Sequence, residues 1–139
     1  MSTKVLILGS TGLIGHQVYN YLEENSNYEL VNISYRKKLN ENSILLDARD
    51  EEILIKNIEV IRPNIIINCI GILISNANKN PENAIYINAY MPHRLMKLSN
   101  DIDAKLIHIS TDCVFSGQKK GPYIAASYTH LTLLTICRV

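Results

Sequence analysis

The sequence has no excess of charge of either sign, because 14 lysines and arginines stand against 13 aspartates and glutamates in 139 residues. It lacks a basic block long enough to follow a phosphate backbone, which argues against nucleic acid as a partner. No apolar run approaches the roughly 20 residues that cross a bilayer, and the N-terminus has no secretory-signal pattern. The expected location is the cytoplasm, without contact to a membrane.

Cysteine is also scarce. Cys69, Cys113 and Cys137 are odd in number, far apart and not arranged as CxxC. Neither a disulfide framework nor a zinc site is predicted, and no metal is expected. Cys69 interrupts an apolar run and is expected to be a small buried residue. With 47% hydrophobic residues, the chain is predicted to form one globular domain around one core.

Strand-like and helix-like segments alternate along the chain. Residues 4–8 are a continuous aliphatic run that ends in glycine, which is typical of a strand buried on both faces of a parallel sheet. Further strands are predicted at residues 29–33, 43–46, 64–70 and 105–109. His108, between two isoleucines, is interpreted as a packed sheet residue.

Helices are predicted between these strands. One begins at Leu13, one covers residues 50–61 with Asp50 as N-cap and Ile53, Leu54 and Ile58 on its apolar side, and a long one covers residues 81–100. The alternation predicts a doubly wound α/β fold of the NAD(P)-binding Rossmann type, with three α/β/α layers and parallel strand order 3-2-1-4-5. The predicted NAD(P)-binding domain extends over residues 1–124. Residues 125–139 have no clean periodicity and are interpreted as a non-native or disordered tail.

A glycine-rich turn follows the first strand and opens the first helix. Gly9 permits a tight turn, Gly12 leaves room for a pyrophosphate, and Gly15 lets the helix pack closely on the strand. The diphosphate is expected at the helix N-terminus. A phosphate-binding P-loop is disfavoured, because His16 and Gln17 stand where it needs Lys and Ser or Thr. The residues predicted to contact the cofactor here are Gly9, Thr11, Gly12, Leu13 and Ile14.

The segment after the second strand, residues 32–38, contains no acidic residue to hold the ribose hydroxyls of NAD. Its charge is positive, and Arg36 or Lys37 could pair with the 2′-phosphate of NADP. A solvated basic loop is the alternative. NADP(H) is therefore the preferred cofactor, and NAD(H) stays open.

Four elements in this order carry a family resemblance: residues 9–15, residues 68–71, Asn88 and the STDxVFxG stretch at residues 110–117. Together they resemble the dTDP-4-dehydrorhamnose reductase branch of the extended short-chain dehydrogenase/reductase family, over residues 3 to 124. The resemblance implies an NAD(P)-dependent oxidoreductase of polysaccharide biosynthesis. Its substrate would be a nucleotide-activated 4-keto-6-deoxy sugar.

The same resemblance implies residue roles. Thr111 would be the catalytic hydroxyl that binds the substrate carbonyl, and Asp112 and Cys113 would line the sugar site. Most relatives have Tyr where Cys113 stands, which leaves the exact substrate open. The remaining cofactor-binding residues would be Asp47 and Ala48 at the adenine, Cys69, Ile70 and Gly71 beside the adenosine ribose and diphosphate, and Asn88 behind the nicotinamide.

The branch also uses a YxxxK pair downstream of the STD element, and no such pattern is present here. Tyr123 matches a tyrosine that precedes the catalytic one. The chain is therefore interpreted as an N-terminal fragment without the catalytic Tyr and Lys, inactive alone, while a homodimer is one state open to the full-length protein. A non-catalytic NADP-binding regulatory subunit, like that of methionine adenosyltransferase, and a sugar-nucleotide epimerase are the alternatives. The STDxVF element favours the reductase over the epimerase.

Overall fold

A computed structural model describes residues 2–110 of the chain. Strands and helices alternate in this part as the sequence pattern predicts. In chain order the elements are β1 (Lys4–Leu8), α1 (Leu13–Asn25), β2 (Glu29–Ser34), β3 (Ile44–Leu45), α2 (Glu51–Ile61), β4 (Ile65–Asn68), α3 (Ile74–Ala77), α4 (Pro81–Ile85), a π-helical turn (Tyr86–Tyr90), α5 (Met91–Asp101) and β5 (Lys105–His108).

The five strands form one parallel sheet in the order β3-β2-β1-β4-β5, which confirms the predicted order. Val5 of β1, for example, is in register with Leu30 of β2 and Ile65 of β4. Parallel neighbours need a crossover connection. The chain adds β2 and β3 on one side of β1 and then β4 and β5 on the other side, so that β1 and β4 are adjacent. Their carboxyl ends therefore meet at the point where such sheets bind ligands.

Successive side chains of β1 belong to two separate cores, one on each face of the sheet, so the prediction of a single core is wrong. Val5 and Ile7 pack with Tyr19 of α1, whereas Leu6 and Leu8 pack with residues of α2 and α5. This alternation follows from the two-residue period of a strand. The helices thus cover both faces, which confirms the three-layer α/β/α Rossmann-type fold.

The apolar side of α2 differs from the prediction at one residue. Leu54 and Ile58 are buried as expected, but Ile53 is 47% exposed, and Ile55 and Ile61 pack against the core instead. Isoleucine and leucine occupy so much of the helix circumference that the 3.6-residue period does not decide which stripe faces the sheet. The N-cap is correct, since the Asp50 carboxylate accepts a hydrogen bond from the Ile53 N–H at 3.2 Å.

The predicted long helix over residues 81–100 is present but interrupted. Its middle is the π-helical turn Tyr86–Tyr90, in which the Met91 N–H donates to the Tyr86 carbonyl five residues earlier. The residue that follows Met91 is Pro92, which has no N–H and whose ring would clash with the carbonyl of Asn88 in a regular α-helix. Widening the preceding turn accommodates that ring.

Cys69 is half-buried rather than fully buried, beside the core that contains Tyr19, and burial raises the pKa of its thiol. Across residues 2–110, no helix has both the length and the apolar character to span a bilayer. The same part of the chain contains no group of three or more His, Cys, Asp or Glu side chains that could hold a metal ion. The predicted boundary at residue 124 and the tail after it lie outside the described residues.

Candidate dinucleotide-binding site

The turn between β1 and α1 is held against β2 and packed very tightly. Gly9 has φ +79°, a conformation that side chains with a Cβ rarely adopt. The N–H groups of Gly9 and Ser10 both donate to the Ile33 carbonyl, at 2.9 and 3.3 Å. A Cβ on Gly15 would lie 2.2 Å from the Gly9 carbonyl oxygen. The expected roles of Gly9 and Gly15 in backbone geometry are confirmed.

Gly12 is different, because the protein itself leaves more room there. Its φ and ψ of −76° and 167° are accessible to any residue, and within the part of the chain that the structure describes a Cβ would meet only the Gly9 carbonyl oxygen, at 3.3 Å. No side chain among residues 2–110 caps α1, and the first N–H groups of a helix have no partner within it. Leu13 and Ile14, which carry two of these groups, are 86% and 47% exposed. This helix end offers backbone donors and exposed apolar surface to a ligand.

The loop after β4 adjoins the glycine turn. A Cβ on Gly9 would lie 3.0 Å from Ile70 Cγ1 and 3.2 Å from the Cys69 carbonyl carbon. The Asn88 side chain holds this loop from the π-helical turn: its Oδ1 accepts from the Ile72 N–H and its Nδ2 donates to the Ile72 carbonyl, both at 2.8 Å. Asn88 therefore positions the loop that contains Ile70 and Gly71.

The adjoining end of β4 carries a second asparagine. Asn68 Nδ2 lies 3.1 Å from His108 Nδ1, and Asn68 Oδ1 accepts from the Ile70 N–H at 3.1 Å. Burial lowers the pKa of His108, although a hydrogen bond from the imidazole to the Asn68 backbone opposes this. His108 is half-buried within the sheet, in agreement with its interpretation as a packed residue.

A chain of buried polar side chains connects the glycine turn with the loop at residues 35–43. The Ser10 hydroxyl donates to Asn32 Oδ1 at 2.9 Å, Asn32 Nδ2 donates to Asn40 Oδ1 at 3.2 Å, and Asn40 Nδ2 donates to Tyr19 Oη at 2.8 Å. Tyr19 lies 3.1 Å from Glu23 Oε1. Burial raises the pKa of Tyr19; the hydrogen bond from Asn40 lowers it and Glu23 raises it. Sequence reasoning missed this chain, because isolated Ser and Asn residues in strands have no periodic signature.

Asp47 lies at the carboxyl end of the sheet. Its carboxylate forms an ion pair with Arg49, which sequence reasoning also missed. Arg49 Nε lies 2.9 Å from both Asp47 carboxylate oxygens, and a second guanidinium nitrogen pairs with Oδ2. This pairing holds the pKa of Asp47 below its ordinary value. Arg49 also donates to Tyr35 Oη at 3.0 Å, and the guanidinium groups of Arg36 and Arg49 lie 5.5 and 5.6 Å from the Tyr35 ring centroid.

The predicted cofactor residues thus fall into neighbouring groups at one edge of the sheet. Thr11, Gly12 and Leu13 line a cleft of about 380 Å³ together with Lys37. Cys69, Ile70, Gly71 and Asn88 form the adjoining β4 side of the site. Arg36 and Asp47 meet around Tyr35, and Ala48, next to Asp47, is buried in the core. Thr111, Asp112 and Cys113 lie outside the described residues.

The strand order reverses between β1 and β4, and the glycine turn and the N-terminus of α1 lie at that point, which is the arrangement of the Rossmann class of α/β proteins. Residues 3–130 match the family model described as the RmlD substrate binding domain. The chain therefore belongs to that family.

Three similar proteins show how the match is distributed. The chain is 25% identical over 128 residues to dTDP-4-dehydrorhamnose reductase from Aggregatibacter actinomycetemcomitans, a match that covers 91% of this chain. It is 31% identical over 130 residues, 93% of its length, to methionine adenosyltransferase 2 subunit beta from Xenopus laevis. The crystal structure of dTDP-4-dehydrorhamnose reductase from Bacillus anthracis in complex with NADP matches 86% of the chain with a TM-score of 0.68 and 32% identity.

The matched proteins are much longer than this chain. The chain spans 41% of the Aggregatibacter reductase, 38% of the Xenopus subunit and 40% of the Bacillus structure. The similarity therefore concerns less than half of the length of those proteins.

Proposed function

We propose that this chain forms the dinucleotide-binding part of an NAD(P)H-dependent reductase that acts on a nucleotide-activated 4-keto-6-deoxy sugar. The observation that carries the proposal is the glycine turn with the N-terminus of α1, which lies where the strand order reverses between β1 and β4. The match to the family model supports the same conclusion. The resemblance to dTDP-4-dehydrorhamnose reductases supports the substrate class.

The residues present fit a dinucleotide. The backbone conformation of Gly12 does not require glycine, and the fold itself leaves some room for a side chain there. A side chain at this position would nevertheless cover the helix end, where backbone N–H groups can donate hydrogen bonds to a diphosphate. The exposed Leu13 and Ile14 provide an apolar surface beside it. Asn88 keeps the opposite wall in place through Ile72.

NADP is the proposed preference over NAD. Arg36, Lys37 and Lys38 lie one residue beyond the end of β2, and the Arg36 guanidinium lies beside the Tyr35 ring. Guanidinium and ammonium groups at this position can pair with the 2′-phosphate, which NAD lacks. The Bacillus relative was solved with NADP, which supports the same choice.

The reaction needs a hydride donor and a proton donor, and the bound cofactor would supply the hydride. We infer that Thr111 orients the substrate carbonyl and that Asp112 and Cys113 contact the sugar. A positioned proton donor contributes about 10²–10⁴-fold to such a reaction, and the 139 residues contain no YxxxK pair after the STD element. This chain by itself is therefore proposed to bind the cofactor without turning over substrate.

Gly12→Val tests the cofactor site. Since Gly12 has an ordinary backbone conformation, the variant should fold, but its side chain should block the diphosphate and abolish NADP binding in a calorimetric titration. Val60→Ala, a change at a 78% exposed residue of α2, is the control for a small substitution away from the site. Undiminished NADP affinity in a folded Gly12→Val protein would refute this placement.

Arg36→Ala tests the cofactor preference. Loss of the guanidinium should weaken NADP binding several-fold and leave NAD binding nearly unchanged, because only NADP has the additional phosphate. Lys56→Ala on α2 removes the same charge elsewhere and should change neither affinity. Equal losses for NADP and NAD in Arg36→Ala would show that Arg36 does not recognise the 2′-phosphate.

Activity is tested directly with NADPH and a dTDP-activated 4-keto-6-deoxy sugar. The chain should give no NADPH oxidation above the protein-free rate. Robust turnover by the 139-residue chain would show that its catalytic groups have been misassigned.

A non-catalytic NADP-binding regulatory subunit is the second candidate, because the identity to methionine adenosyltransferase 2 subunit beta is 31%. Both candidates require the same cofactor site, and they differ in the Tyr and Lys of the longer protein. Reading the coding sequence beyond codon 124 in genomic DNA separates them, since an intact YxxxK pair favours the reductase and its replacement favours the binding role.

A further inference from the structure

The cleft at the glycine turn has two walls that come from different parts of the chain. One wall is the turn with the start of α1, and the other is the loop after β2. The residues that line the cleft are Thr11, Gly12, Leu13 and His16 on the turn wall and Lys37, Lys38 and Leu39 on the loop wall. A ligand that contacts both walls binds best when their separation matches its own dimensions, so a contact that fixes this separation contributes to the affinity.

The loop wall is joined to the rest of the fold at Asn40, the residue that follows Leu39. Asn40 Nδ2 donates to Tyr19 Oη on α1 at 2.8 Å, and Asn40 Oδ1 accepts from Asn32 Nδ2 on β2 at 3.2 Å. The Ser43 hydroxyl donates to the same Oδ1 at 3.1 Å and accepts from the Asn40 N–H at 3.0 Å. One side chain therefore links the loop wall to both α1 and β2.

The turn wall is joined to the same group of side chains through Ser10. This residue of the glycine turn is fully buried, and its hydroxyl donates to Asn32 Oδ1 at 2.9 Å. Asn32 thus contacts the turn with its amide oxygen and Asn40 with its amide nitrogen. Among the residues that the structure describes, neither Asn40 nor Tyr19 lines the cleft. A change at either residue therefore removes a connection between the walls and leaves the ligand-facing surface in place.

We propose that Asn40 is a positioning residue of the cofactor site: by holding the loop wall to α1 and β2, it sets the distance between the diphosphate site and the 2′-phosphate site. This inference rests on the proposed cofactor function and deepens it. The diphosphate belongs to the turn wall, at the N-terminus of α1, and the 2′-phosphate belongs to the loop wall, beside Arg36 and Lys37. NADP carries both groups on one ribose, so walls that are already held at the matching distance bind it without a further ordering cost.

The spacing of the walls can be measured as an effective concentration. Inorganic pyrophosphate represents the group at the turn wall, and adenosine 2′-monophosphate represents the group at the loop wall, whereas NADP carries both groups. The product of the two part-ligand Kd values, divided by the Kd of NADP, has the unit of a concentration and reports how well the walls are spaced. Damage to one wall raises the Kd of its part ligand and the Kd of NADP together, so this quotient changes little.

The experiment measures the three Kd values by calorimetry, with the part ligands titrated in competition with NADP. The proteins are the whole chain, Asn40→Ala, Tyr19→Phe and, as control, Asn100→Ala at an exposed position of α5. Asn40→Ala should lower the effective concentration about two- to tenfold, the range expected when a segment must be ordered on binding. Tyr19→Phe keeps a ring that packs with Leu39 and should lower it less, because the bond from Asn32 to Asn40 remains. Both variants should leave the two part-ligand Kd values nearly unchanged.

An effective concentration in Asn40→Ala and Tyr19→Phe equal to that of the unmodified chain would overturn the inference. It would also be overturned if the loss of NADP affinity were matched by losses for the part ligands, since the variants would then damage the walls themselves and not their spacing. A decrease of the same size in Asn100→Ala would have the same meaning. If Asn40→Ala does not fold, Tyr19→Phe decides between these outcomes. If the unmodified chain does not bind NADP, the proposed function itself fails and this inference fails with it.

Discussion

Asn32 is the central link in the buried polar chain, and its removal should destabilise the fold measurably. Asn32 is 1% exposed, donates to Asn40 and accepts from Ser10. Asn32→Ala removes both hydrogen bonds, each with a net value of about 1 kcal/mol. The partners keep some compensation, because Ser10 also reaches the Ile33 carbonyl at 3.4 Å and Asn40 Oδ1 also accepts from Ser43 at 3.1 Å.

The expected decrease in the free energy of unfolding is therefore about 2 kcal/mol. With a urea slope of about 1.5 kcal/mol/M, the midpoint should fall by roughly 1.3 M. Equilibrium urea unfolding of the whole chain, followed by circular dichroism, measures this shift. Asn100→Ala, at an exposed residue near the end of α5, is the matched control and should stay within about 0.5 kcal/mol.

A double-mutant cycle tests whether the chain acts as a connected unit. Tyr19→Phe removes the contacts of the hydroxyl with Asn40 and Glu23. Since Asn40 joins Tyr19 to Asn32, the double variant should lose at least about 0.5 kcal/mol less than the sum of the single losses. Strict additivity would show that Tyr19 and Asn32 contribute independently, and an Asn32→Ala midpoint equal to that of Asn100→Ala would show that the hydrogen bonds of Asn32 carry no net stability.

Three other outcomes are expected. Gly15→Ala should destabilise the chain by about 3 kcal/mol or more, because its Cβ would lie 2.2 Å from a backbone oxygen; a urea midpoint near that of the unmodified chain would contradict this. Asn88→Leu should speed hydrogen exchange of the Ile72 amide, whose 2.8 Å bond it removes, and unchanged protection would mean that Asn88 does not hold the loop. For His108, whose pKa is lowered in the folded state, the unfolded chain takes up a proton first as pH falls below about 6.5. Stability is thus complete above that pH and declines below it, and a His108→Gln variant whose stability falls as steeply between pH 7 and 5 would exclude this contribution.

The strand order could be predicted because each strand has a local signal. The run Val5 to Leu8 and its counterpart at Ile65 are continuous aliphatic runs, and the segments between the strands include stretches with helical spacing. Which side of α2 is buried could not be predicted, since Ile53 and Ile55 are chemically alike and only packing against the sheet distinguishes them. The fold class is thus a matter of local pattern, whereas the burial of individual residues depends on tertiary contacts.

The candidate site likewise contains residues whose roles the sequence predicts and contacts that it does not predict. The roles of Gly9 and Gly15 follow from a motif of seven residues, and both are visible in the sequence. The contacts from Asn32 to Ser10 and from Asn88 to Ile72 join residues 22 and 16 positions apart, so no local sequence pattern predicts them. Arg49 pairs with Asp47 only two positions away, but the bend that brings them together is not encoded in any helical or strand period.

The π-helical turn has a consequence for how the helix over residues 81–101 can evolve. A π-turn is equivalent to one residue inserted into an α-helix, and each residue of an α-helix turns the chain by about 100°. The turn can therefore present Asn88 to the β4 loop while the helix after it presents Leu95 and Leu98 to the sheet core. Deleting one residue from the turn would force the two halves into a single register, and one set of contacts would have to be lost.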